Sequence, residues 1–109
     1  MRKKHNPIVL IHDQHGFVSY CACCQSFRVG FGNVCINQTL EDLKQLTDVV
    51  HSMFKRYRKR LDKERRDIYL DTPYPGFSFI FSLLQLDQFH QMLQKTLLLI
   101  AARDQIRLQ

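Results

Sequence analysis

At 109 residues the chain is short for more than one domain, and 45% apolar with 24% charged residues is a globular balance, which excludes a disordered chain. Sixteen basic against ten acidic residues give a net charge of +6. Lys55 to Arg66 holds eight of the basic residues and only Asp62 and Glu64 among the acidic ones, so the excess is local and an electrostatic partner would meet the chain there.

The elements read in order from the N-terminus. Arg2, Lys3 and Lys4 resemble the start of an export signal, but the apolar stretch Ile8 to Ile11 is too short and runs into His12 without a cleavage site. The longest apolar run, Leu97 to Ala102, falls far below the roughly 20 residues that cross a bilayer. A cytoplasmic protein with no membrane partner follows, its four cysteines reduced thiols and not a disulfide framework.

Ile8–Ile11 and Phe17–Tyr20 read as strands separated by a turn at Gly16. Phe27, Val29 and Phe31 alternate with Arg28 and Gly30, the period of a half-buried strand, and Gly32-Asn33 turns the chain into the partner Val34–Asn37. Thr39 is the N-cap of a helix whose first turn carries Glu41 and Asp42. Its apolar stripe runs through Leu43, Leu46, Val50, Met53, Phe54, Tyr57 and Leu61, which predicts a helix to about Leu61 or beyond. Ile68 to Asp71 and Phe77 to Leu83 form a second strand pair around the Pro73-Tyr74-Pro75-Gly76 loop. A last helix is expected from about Gln85 to near Ile106, with Leu86, Phe89, Leu93, Leu97 and Ile100 on one face. Residues 38–46 resemble residues 84–92 at an offset of 46, so a hairpin-then-helix unit recurs. The pattern β-β-β-β-α-β-β-α predicts a single α+β domain, an antiparallel sheet of hairpins with two amphipathic helices packed on one face.

Met92, Leu99 and Ile106 make a second apolar stripe on the last helix. It needs a second surface, either the neighbouring helix or another subunit, and a homodimer suits so small a chain.

Cys21 and Cys24 form one C-x-x-C pair, whose spacing lets two thiolates reach one tetrahedral zinc. A second pair is missing, so Cys35, His12 or His15 would have to complete the shell. A thiol redox reading is weaker, because a strand and not a helix N-terminus follows the pair. Small apolar residues at a sheet edge are the plain alternative. Lys55, Arg56, Lys59 and Arg60 are candidate phosphate contacts for a nucleic acid, against the alternative of a solvated helix end. No nucleophile motif, zinc-protease motif or glycine-rich phosphate loop is present, and His51 and His90 read as ordinary surface histidines. The chain reads as a non-enzymatic binding or regulatory module.

Tyr20-Cys21-x-x-Cys24-x-x-Phe27, then Phe31-Gly32-Asn33 and Thr39-x-Glu41-Asp42-Leu43, resemble a family of small bacterial proteins of unknown function. Phe79-x-Phe81-x-Leu83 and Leu86-Asp87-Gln88-Phe89 are similar to it as well, so the resemblance covers most of residues 16 to 100 and implies no activity. Cys23 and the basic segment stand outside the shared pattern.

Overall fold

Period-two alternation in the first forty residues builds four strands, β1 (Ile8–His12), β2 (Gly16–Cys21), β3 (Ser26–Phe31) and β4 (Val34–Gln38), joined as an antiparallel sheet in chain order. The computed structural model describes residues 7–72 and 74–107, with side chains to Arg103. The Arg2–Lys4 run, His5, Pro73 and the Ile106 side chain therefore lie outside the described residues. Val18, Val29 and Ile36 share one cross-strand row on the inner face, flanked by Phe27 and Phe31, and all five are buried. Along β1, Val9 pairs with Ser19 and Ile11 with Val18. Leu10 is the extra residue of a bulge, which lets both Leu10 and Ile11 pack on the core. At the other side of β2, a Cβ on Gly16 would overlap the Gly30 carbonyl oxygen, so only glycine permits this approach of the two strands.

The Thr39 hydroxyl accepts the Asp42 amide at 3.1 Å and opens α1 (Leu40–Tyr57), as the capping residues predict. The helix stops at Tyr57, short of the expected Leu61, which is 97% exposed. Polar side chains supply the competing structure. Asp62 accepts the Glu64 and Arg65 amides at 3.1 and 3.2 Å, and Arg60 bonds both the Asp67 carboxylate and the Arg65 carbonyl. With Leu61 the sole apolar residue between Arg58 and Asp67, no buried contact opposes them.

β5 (Ile68–Asp71) and β6 (Ser78–Phe81) pair with each other and form a separate two-stranded sheet, not an extension of the first. α2 (Leu83–Arg107) begins two residues before the expected Gln85. Ser82 and Gln85 form a reciprocal capping box, the hydroxyl accepting the Gln85 amide at 3.1 Å and the Gln85 side chain accepting the Ser82 amide at 3.0 Å. The hairpin-then-helix unit does recur, but the two caps, Thr39 and Ser82, do not share the 46-residue offset. One layer of the core is aromatic: Phe31 from the first sheet, Phe79 and Phe81 from the second, and Phe89 from α2. Met92 is 2% exposed within the chain, so it belongs to this core and leaves the second stripe. Leu98 and Leu99 stay exposed on α2.

Candidate metal centre

Cys21 ends β2 on the outer face of the sheet, paired with Ser26, and the four residues between them are the hairpin turn. The Gln25 amide donates to the Ala22 carbonyl at 3.4 Å, and Gln25 takes φ 50°, a left-handed conformation that costs a non-glycine residue about 1 kcal/mol. This tight turn gathers three thiols. Cys21 and Cys23 place their Sγ atoms 3.3 Å apart, Cys23 and Cys24 3.8 Å, and all three lie within 4.8 Å of one another. A tetrahedral ion with bonds of about 2.3 Å to sulfur sets its ligands about 3.8 Å apart, which the Cys23–Cys24 pair meets and the Cys21–Cys23 pair would reach by opening about 0.5 Å. Cys23 and Cys24 are exposed and Cys21 is half-buried. Among the described residues this is the one group of three or more histidine, cysteine or acidic side chains whose donor atoms converge. A groove of about 310 Å³ adjoins it on the outer face, lined by Cys21, Cys24, Ser19, Ser26, Arg28 and Asn37.

The other expected ligands stand at the opposite end of the sheet. His12 pairs with Phe17, Phe17 with Gly30, and Gly30 with Cys35, so His12 and Cys35 occupy one cross-strand row. Cys21 lies four residues along β2 from that row, about 13 Å at about 3.3 Å per residue. His15 sits in the β1–β2 turn at the same far end, its carbonyl accepting the Gly32 amide at 3.0 Å. The structure thus joins Cys21 and Cys24 with Cys23, and does not bring His12, His15 or Cys35 to them. C-x-x-C spacing counts the two ends of the turn and passes over Cys23, the thiol inside it.

Cys21, then Cys23, by hydrogen bonding to the Cys24 thiol, push it up to about 11. Near neutral pH it is almost wholly protonated in the metal-free chain, which makes it a poor nucleophile.

The candidate cations of the basic segment divide into exposed side chains and one committed to an ion pair. Lys55, Arg56 and Lys59 are exposed, the first two in the last turn of α1. Arg60 is instead held by Asp67 at 2.5 Å, with its side chain 19% exposed. The four cations are therefore not one equivalent surface. Arg60→Ala is expected to cost about 1–2 kcal/mol in urea unfolding, between an exposed and a buried charged pair. Lys55→Ala and Arg56→Ala should each stay within about 0.5 kcal/mol of the parent. Equal effects at Arg60 and Lys55 would contradict the division.

A family model matches residues 1–98. The chain belongs to DUF6686, a family of unknown function. This agrees with the resemblance read from the motifs, at the level of a family without an assigned activity. The DUF6686 match includes the whole first sheet, the cysteine turn, both helix caps and α2 as far as Leu98. No curated protein and no solved structure matches the chain. Among the described residues, no helix is long and apolar enough to cross a membrane.

Proposed function

We propose that this DUF6686 chain is a small non-enzymatic binding or regulatory module of the cytoplasm, whose turn at Cys21, Cys23 and Cys24 holds one zinc ion. The convergence of three Sγ atoms within 4.8 Å on a single hairpin turn carries the reading. Thiolate is the ligand that zinc prefers, and three protein ligands leave a fourth position for water or for a side chain of a partner. Bound metal would hold the turn in its strained form, because the binding energy is available only to the folded chain. A redox role is disfavoured by the raised Cys24 thiol and by the strand, not a helix N-terminus, that follows the pair. Leu98 and Leu99 are where a second copy would pack in a homodimer, which the mass in solution tests.

Protein purified without added chelator is expected to carry about one zinc per chain, and chelation should lower the thermal midpoint. Metal-free protein whose midpoint is unmoved by added zinc would overturn the proposal. The nucleic-acid reading retains Lys55, Arg56 and Lys59 as exposed cations, with Arg60 committed to Asp67. Its test is binding at low salt, where counterion release is strongest. Affinity that falls steeply with salt and is lost in the K55A/R56A/K59A variant would favour it over the zinc module.

A further inference from the structure

α1 and α2 pack side by side, and a second cluster of ligating atoms sits between them. His51 Nδ1 lies 2.8 Å from His90 Nε2, with the two rings 25° apart and their centroids separated by 5.0 Å. Phe54 also stacks on the His90 ring, at 4.8 Å and 16°, and fixes its plane. The Gln94 side-chain amide reaches the same His90 Nε2 at 3.3 Å. His51 from α1 and Gln94 from α2 therefore both reach the same ring nitrogen of His90. Two imidazole nitrogens bonded at about 2.1 Å to one ion stand about 3.0 Å apart at a right angle and about 3.4 Å in a tetrahedral shell, so the 2.8 Å pair admits an ion by opening a few tenths of an ångström.

We propose that His51 and His90 form a second transition-metal site, a two-histidine clamp for a divalent ion such as Zn²⁺ or Ni²⁺ that ties α1 to α2. The ligand atoms are His51 Nδ1 and His90 Nε2. The Gln94 amide, turned about its last bond, presents its carbonyl oxygen as a third, and water completes the shell. Without metal, one of the two facing nitrogens must carry a proton and donate it to the other, since two lone pairs at 2.8 Å would repel. When the ion enters, that ring takes the proton on its opposite nitrogen by exchange with solvent. Two neutral histidines then bind metal without net proton release. The site is independent of the cysteine turn and stands or falls apart from it.

The probe is Zn²⁺ titrated into the full-length C21S/C23S/C24S variant, followed by long-range imidazole ¹H–¹⁵N spectra. At one equivalent, His51 Nδ1 and His90 Nε2 should move to metal-bound shifts, with His51 Nε2 and His90 Nδ1 protonated. H51Q and H90Q should each weaken zinc binding by about tenfold or more. The parent chain, its cysteine turn already filled, should give the same shifts with a further equivalent. Zinc that perturbs only His5, His12 or His15, or that binds H51Q and H90Q as tightly as their parent, would overturn the proposal. So would ring nitrogens that remain those of a hydrogen-bonded pair throughout the titration.

Discussion

Phe89→Ala is expected to remove about 3–5 kcal/mol of folding free energy, the range for truncating a buried aromatic with partial relaxation around it. Phe89 is fully buried and its ring meets Phe31 at 4.9 Å, Phe81 at 5.5 Å and Phe79 at 5.9 Å. These partners come from both sheets, so the Phe89 ring is the common contact that fastens the β5–β6 hairpin and the four-stranded sheet to α2. A domain of this kind has only about 5–15 kcal/mol in total, so the variant should be close to its unfolding threshold. Urea unfolding measures the loss directly, with the slope unchanged if the native fold persists. Leu61→Ala, at a side chain 97% exposed, should change stability by less than about 0.5 kcal/mol. A Phe89→Ala cost no larger than that of Leu61→Ala would contradict this account of the core.

The second large effect is conditional on metal. Cys23 is exposed, so Cys23→Ser should leave the chelated chain within about 0.5 kcal/mol of its parent. In the loaded state the same change removes one ligand of three. Where free zinc exceeds the dissociation constant a thousandfold, binding stabilises the native state by about 4 kcal/mol, and the variant forfeits most of that. Cys35→Ser, at the far end of the sheet, should be silent in both states. A Cys23→Ser penalty of the same size with and without chelator would assign the thiol to packing and not to ligation.

Much of the architecture is legible where one local signal dominates. Phe27, Val29 and Phe31 alternate, Thr39 precedes two acidic residues, and Leu43 and Val50 lie two turns apart on one helical face; each of these became the element it predicts. The misses arise where long-range or side-chain bonding overrides the pattern. Leu61 continues the α1 stripe in sequence, yet Arg60 finds Asp67 and Asp62 turns the backbone, so the helix ends at Tyr57. Leu83 continues the alternation of β6, yet the Ser82–Gln85 capping box starts α2 beneath it. The candidate site was half legible. Cys21 and Cys24 are flagged by spacing, but which ligands join them depends on strand register. Register sends His12 and Cys35 to a shared row at the far end of the sheet. His51 and His90 carry no spacing signal at all, since only the packing of α1 on α2 brings them together.

Cobalt substitution of the cysteine turn tests the central claim most directly. Co²⁺ bound by thiolate absorbs through sulfur-to-metal charge transfer, so the intensity of that band per metal reports how many thiolates ligate. The parent chain should develop the band at one equivalent, and C21S, C23S and C24S should each weaken it and lower the affinity. C35S, H12Q and H15Q should titrate like the parent. A band that survives C23S unchanged, or that is lost in C35S, H12Q or H15Q, would contradict the three-thiol turn as the metal centre.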